Sequence, residues 1–220
     1  MASLVSSSRG GAVGFGVFAV LGLTHLIVGT SGASALPLPP SSSVFPLPVG
    51  IGTSGGVVIA SQTLSFSTAL YSGTLTSQVI SGDTNNQHGG LTFTYLLSND
   101  ARSSSSLSRL TLNGFTNAFS VDASWFGSSP NVAPLAVDRN GTGVVGFSFN
   151  TILQGFVPIA PGASSTLLIL QTDSTTYFNI LASVIDGRVT QVGSFAPVPT
   201  PGVASLLGLG GALAVRRRRR

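Results

Sequence analysis

Alternation of apolar and polar residues is clearest in the middle of the chain. Every second position there is apolar, in the order Leu91, Phe93, Tyr95 and Leu97. Thr92 and Thr94 lie between the first three of them. Because successive side chains of a strand point to opposite faces, this period of two predicts a β-strand with one buried face.

The same alternation recurs through residues 50–196. The further segments that it predicts as strands are Val58–Ser67, Thr74–Ile80, Leu107–Leu112, Ala118–Ala123, Gly143–Asn150, Ser165–Thr172, Thr176–Val184 and Arg188–Phe195. Turn signals such as Asn113-Gly114 and Asp186-Gly187 separate them, and such pairs adopt positive φ at low cost. Residues 50–196 are therefore predicted to form one all-β domain, an antiparallel β-sandwich of about nine strands.

The first 35 residues have the composition of an export signal. The apolar stretch Gly11–Val28 is followed by small residues that end in Ala33, Ser34 and Ala35. Ala33 and Ala35 fit the small-x-small pattern of a cleavage site, which predicts a signal helix cleaved after Ala35. The alternative is a retained membrane anchor, because the apolar stretch approaches the roughly 20 residues that span a bilayer.

Proline dominates the next segment, residues 36–49, which holds five of the twelve prolines and no charge. Proline fixes φ and keeps the preceding residue out of the helical region. The segment is therefore predicted to be an extended spacer that lies outside the core.

Residues 197–220 combine three features in a fixed order. Proline-rich residues lead to the uncharged segment Val203–Val215, and the chain closes with Arg216, Arg217, Arg218, Arg219 and Arg220. A helix over Gly202–Val215 would be about 21 Å long, against about 30 Å for the hydrocarbon core of a bilayer. The arginines resist translocation and stay on the cytoplasmic side, so an exported chain would pause with its body outside and this short helix in the membrane.

This order of features resembles the PEP-CTERM sorting signal of Gram-negative-type bacteria. The matching motif is Pro199, Thr200, Pro201 and Gly202, with Thr200 where the family usually has Glu. The resemblance implies processing by exosortase, a membrane-embedded cysteine protease-transpeptidase that cuts near the motif. The body is also similar to the Ser/Thr/Gly-rich ectodomains that many proteins with this tail carry.

Charge and cysteine content exclude several classes of protein. The chain has ten arginines and six aspartates but neither lysine nor glutamate, and residues 36–196 hold only four of the arginines. The body therefore lacks the basic face of a nucleic-acid binder. Because the chain has no cysteine, disulfides, thiolate nucleophiles and cysteine-bound metals are excluded.

His88 is the one histidine beyond the predicted signal segment. It could act as a general base, with Asp83 or Asp100 orienting it and a nearby serine as nucleophile. The alternative is an ordinary polar loop, which is favoured because no G-x-S-x-G sequence accompanies His88. We therefore predict no catalytic residue.

Two loops carry oxygen ligands at alternate positions. Asp83 and Asn85 form the first set and Asp138 and Asn140 the second, and such oxygens suit Ca²⁺. Neither loop has the acidic residue that completes an EF-hand, so plain turns are favoured and no cofactor is predicted.

Trp125 and Phe126 form an aromatic pair before a loop. An exposed Trp125 would stack on a sugar ring, whereas a lone tryptophan of a β-sandwich more often fills the core. The core position is favoured.

Two classes of function remain open. The first is a non-enzymatic protein of the cell surface or extracellular matrix, with a structural or adhesive role. The expected partners are the Sec export machinery, signal peptidase, an exosortase-like protease and exopolysaccharide. The second is a secreted carbohydrate-binding protein or polysaccharide-acting hydrolase.

Overall fold

The computed structural model describes residues 34–49, 52–149 and 158–198. Alternating apolar residues produce strands throughout these ranges, and every regular element is a β-strand. The strands are β1 Leu36–Pro37, β2 Ser42–Val44, β3 Val57–Ser67, β4 Ser72–Ser81, β5 Thr92–Asn99, β6 Arg109–Leu112, β7 Val121–Phe126, β8 Ala136–Arg139, β9 Val145–Ser148, β10 Leu167–Thr172, β11 Tyr177–Ile185 and β12 Val189–Pro197.

The strands form two sheets of six. The first sheet has the order β1-β7-β10-β5-β4-β3, and the second has the order β12-β11-β6-β9-β8-β2. All pairings between these strands are antiparallel. The prediction of an all-β antiparallel fold is therefore confirmed, while the predicted flanking helices lie outside the described residues.

The inner faces of both sheets share one hydrophobic core. Its largest fully buried apolar side chains are Tyr71, Tyr95, Phe93, Phe115, Phe147, Phe149, Leu38, Leu75, Leu97, Leu107 and Leu110. Two tyrosines also hydrogen-bond across the core: Tyr95 Oη donates to the Phe195 carbonyl at 2.8 Å, and Tyr71 Oη donates to the Val184 carbonyl at 2.9 Å. These bonds supply partners for hydroxyl groups that would otherwise be costly to bury.

Residues 36–49 differ from the expectation of a spacer outside the core. β1 pairs with β7, β2 pairs with β8, and Leu38 is 1% exposed within the core. Pro37 is tolerated in β1 because that strand lies at a sheet edge, where a missing N–H interrupts no ladder. The segment thus contributes a strand to each sheet.

Candidate functional site

A polar cluster lies where the loop between β4 and β5 meets the outer face of the first sheet. We call Asp83, Asn86, His88, Asp122 and Gln171 the polar cluster. Gly82 and Gly89 give this loop positive φ values of 73° and 71°, which glycine adopts without steric cost. Those two turns let the loop fold back toward β5, β7 and β10.

Asp83 fastens the loop to two other segments. Its Oδ1 accepts hydrogen bonds from the backbone N–H of Ser54 at 2.9 Å and of Asn85 at 3.1 Å. Its Oδ2 accepts a hydrogen bond from the Thr92 hydroxyl at 2.9 Å. Asp83 is only 5% exposed, and these three donors provide the partners that a buried carboxylate requires.

Asn86 connects the same loop to the end of β10. Its side-chain amide donates to the Gly90 and Thr172 carbonyls, both at 3.0 Å. Gly90 fits tightly at this point, since a Cβ built on it would lie 2.5 Å from the carbonyl carbon of Asp173. The loop and β10 therefore approach each other backbone to backbone.

His88 and Asp122 form the one histidine–carboxylate contact of the polar cluster, which is close in distance but lacks hydrogen-bond geometry. His88 Nε2 lies 3.0 Å from Asp122 Oδ1, and the two side chains are 24% and 12% exposed. Asp122 pairs in register with Gln171 on β10, and Gln171 pairs with Thr92 on β5. These three residues form a buried polar row across the sheet, with His88 at its Asp122 end.

The hypothesis that Asp83 or Asp100 orients His88 is wrong. Asp83 is occupied by the donors described above, and Asp100 accepts a hydrogen bond from the Ser72 hydroxyl at 2.7 Å. No hydroxyl group of the described residues hydrogen-bonds to His88. Asp122, which lies 34 positions away in the sequence, is the partner instead.

Two fully buried hydroxyl groups on the same sheet face have no partner. Thr94 and Ser124 are 1% and 0% exposed, and neither Oγ atom has a hydrogen-bond partner among the residues that the structure describes. Both residues pair with Ile169 of β10, one from each side. Because Ser124 is buried, it is not presented to a substrate as a nucleophile.

The candidate calcium ligands have structural roles. Asp138 forms an ion pair with Arg109 at 2.7 Å. The side-chain Oδ1 of Asn140 accepts hydrogen bonds from the Thr142 and Val144 backbone N–H groups at 3.0 and 2.9 Å. Within the described ranges, no three His, Cys, Asp or Glu side chains come together as a metal site would require.

Trp125 is half-buried and is not part of the central core. Its indole N–H donates to the Pro46 carbonyl at 3.1 Å, and its own carbonyl accepts a bond from Val49 N–H at 2.9 Å. The neighbouring Phe126 is 40% exposed. The end of residues 36–49 therefore fastens Trp125 in place.

The sequence does not single out Arg139, because it lies between Asp138 and Asn140 in a segment predicted as a turn. It is 1% exposed, and its guanidinium donates to the carbonyls of Phe115, Leu38, Thr116 and Phe119. Burial lowers the pKa of Arg139, and the negative charge of Asp173 opposes that effect. No local sequence signal distinguishes it from the exposed arginines.

The predicted processing sites fall at the margins of the fold. Ala33, the motif Pro199, Thr200, Pro201 and Gly202, and the cluster Arg216, Arg217, Arg218, Arg219 and Arg220 lie outside the described residues. Ala35 is 9% exposed, and β1 begins at the next residue. At the other end, Val198 N–H donates to the Thr176 carbonyl at 3.1 Å.

The part of the chain that the structure describes contains no helix with the length and hydrophobicity needed to span a bilayer. No family model matches the chain, and no curated protein or solved structure is significantly similar to it.

Proposed function

We propose that the chain is an exported protein of the cell surface or extracellular matrix with a non-enzymatic structural or adhesive role. Sec export and signal peptidase would bring it across the inner membrane. An exosortase-like protease would then read the motif Pro199 to Gly202 while the five terminal arginines hold the tail in the membrane. Exopolysaccharide is the proposed surrounding material.

The observation that carries this proposal is the agreement between the fold margins and the predicted processing sites. β1 begins at Leu36, directly after the predicted signal cleavage. At the other end, β12 ends at Pro197, two residues before Pro199. Removal of both segments would therefore leave all twelve strands intact.

The chemistry of the body supports a non-enzymatic role. The buried Asp83 and Arg139 use their polar atoms to hold loops and strands together. Ser124, which lies two residues after Asp122 on β7, is fully buried. A catalytic serine must instead reach both its base and the substrate.

A second candidate, a polysaccharide-acting hydrolase, rests on the His88–Asp122 pair. A carboxylate 3.0 Å from Nε2 could orient the imidazole as a general base. If His88→Ala lost polysaccharide turnover but the loop control His88→Gln retained it, the result would contradict base catalysis by His88. Equal loss in both variants from an otherwise active protein would favour the hydrolase.

Intact-mass analysis of the protein recovered from cells tests the main proposal. A mature chain that begins at Leu36 and lacks the residues beyond the Pro199–Gly202 motif is expected. Replacement of Pro199 and Pro201 should leave the tail attached, whereas the matched replacement of Pro46 and Pro48 should not. A full-length C-terminus on the wild-type protein at its final location would contradict the sorting proposal.

A further inference from the structure

The longest strand of the protein lies at an open edge. β3 has 11 residues and is the last strand of the first sheet. It pairs with β4 on one side, and no described strand pairs with its other side. Among the described residues the backbone groups along that side have no strand partner, and most side chains of β3 are exposed, so this side can accept another strand.

β3 lacks the usual protection of an edge strand. Its sequence, VVIASQTLSFS, contains no charged residue and no proline, the features that most often prevent edge-to-edge pairing. A register shift between Val58 and Ala60 interrupts its first part. From Ala60 to Ser67 the pairing with β4 is continuous, so this part presents a regular edge.

The other sheet edges differ from β3. β1 has two residues and includes Pro37, and β2 has three residues. β12 is shorter, with nine residues, and ends in Pro197. It packs on the inner face of β3, where a Cβ built on Gly193 would be 2.7 Å from Leu64 Cδ1, and this contact leaves the outer face of β3 exposed. β3 is thus the long regular edge that a partner strand can use.

We propose that β3 pairs with β3 of a second copy of this chain, antiparallel and around a two-fold axis beside Thr63. This proposal does not depend on the sorting tail. The axis keeps the pairing within the regular part of the strand, with Thr63 opposite Thr63 and Ser61 opposite Ser65. This pairing also places the outer faces of the first sheets of both copies on the same side, because opposite residues of an antiparallel pair share a face.

Charge and side-chain continuity favour an identical partner. A second copy brings the same charges to the interface, and β3 and β4 bring none, so no like charges oppose each other. On the outer face, Thr63 and Thr76 hydroxyls are 2.8 Å apart, and Gln78 donates to the Ser61 hydroxyl at 3.4 Å. The second copy would extend this hydroxyl ladder across the axis.

The expected association is weak. A single pair of strands buries less area than the roughly 1,200 Å² at which stable interfaces begin. Dimers should therefore form at high local concentration, as in a matrix. Because such dimers dissociate easily, covalent cross-linking is the suitable measurement.

Cysteine trapping tests the proposal directly, because the chain contains no cysteine. The full chain in mild detergent would carry Ser61→Cys, Thr63→Cys or Ser65→Cys, each alone and mixed in pairs, under a mild oxidant. Opposite residues of an antiparallel pair have Cα atoms about 4.5–5.5 Å apart, within the range of a disulfide. The three exposed positions cover every axis from Ser61 to Ser65.

We expect Thr63→Cys to form disulfide-linked dimers at least tenfold faster than the control Ser43→Cys, an exposed residue of the short edge strand β2. Mixed Ser61→Cys and Ser65→Cys should cross-link at a similar rate. Trapping at the control rate in every combination would overturn the proposal. Capture in cells of a different protein in place of the second copy would also overturn it.

Discussion

Tyr95 of β5 and Phe195 of β12 connect the two sheets through a hydrogen bond of 2.8 Å from the phenol to the backbone carbonyl. Tyr95 is fully buried, so in the folded protein no water reaches its hydroxyl group to replace this bond. The bond lies on the same side of the fold as the hydroxyl pair of Ser77 and Ser194, which are 2.9 Å apart. Polar contacts thus fix how β4 and β5 face β12.

Replacement Tyr95→Phe should lower the free energy of unfolding by about 1–2 kcal/mol, because the Phe195 carbonyl loses its buried donor. Urea unfolding followed by circular dichroism measures the change. Tyr177→Phe is the matched control, since Tyr177 is 37% exposed and its replacement should change stability by less than about 0.5 kcal/mol. Equal effects of the two replacements would contradict this account.

Alkaline pH should destabilise the protein through the same tyrosine. Burial raises the pKa of Tyr95 well above its ordinary value, so the unfolded chain loses this proton first, from about pH 10 upward. The contribution of Tyr95 is fully present below that pH and falls as pH rises, by up to about 1.4 kcal/mol per pH unit. Unfolding titrations of wild-type protein and Tyr95→Phe between pH 8 and about pH 11 should diverge in slope, and parallel curves would refute the assignment.

Arg139→Met should destabilise the fold by on the order of 3 kcal/mol or more, because it leaves several buried carbonyls without a donor. Urea unfolding is again the measurement. Arg102→Met serves as control, since Arg102 is exposed and the change there should be small. A nearly neutral Arg139→Met would show that water replaces the guanidinium.

Asp83→Ala should release the chain around Ser54 from the loop between β4 and β5. Hydrogen exchange of the Ser54 amide should become at least tenfold faster, since that N–H loses the acceptor that it contacts at 2.9 Å. Asp100→Ala removes an exposed carboxylate and should leave Ser54 unchanged. Unchanged exchange in Asp83→Ala would mean that other contacts hold the segment.

Chelation should leave the thermal midpoint unchanged, because the oxygens of Asp83 are occupied by N–H and O–H donors. Differential scanning calorimetry with excess calcium and with excess chelator makes the comparison. A midpoint that rises with calcium and falls with chelator would show that the loop binds the ion after all.

The strands in which apolar and polar residues alternate were predicted from the sequence. The segment predicted as Val58–Ser67 corresponds to β3, and that predicted as Thr176–Val184 corresponds to β11. β1 and β2 were missed because two or three residues are too few to show a period of two. β8 was missed because its residues lie in the segment predicted as the loop around Asp138 and Asn140. Their partners in the sheets, and not their own sequences, make them strands.

The polar cluster was predicted only in part for a different reason. The loop around Asp83 and His88 was visible from its composition, but its contacts are with residues distant in sequence. Asp122 is paired with His88, and the Thr172 carbonyl accepts from Asn86. Such pairings depend on strand order, which alternation does not specify.

The position of Ala35 sets an order of events during maturation. Ala35 is buried and Leu36 is already paired with Ala123 in the folded protein. A protease needs its substrate extended and accessible, so a cut after Ala35 must come before β1 docks onto β7. Folding would therefore set the time limit for the proposed signal cleavage, because the docked strand protects the bond after Ala35.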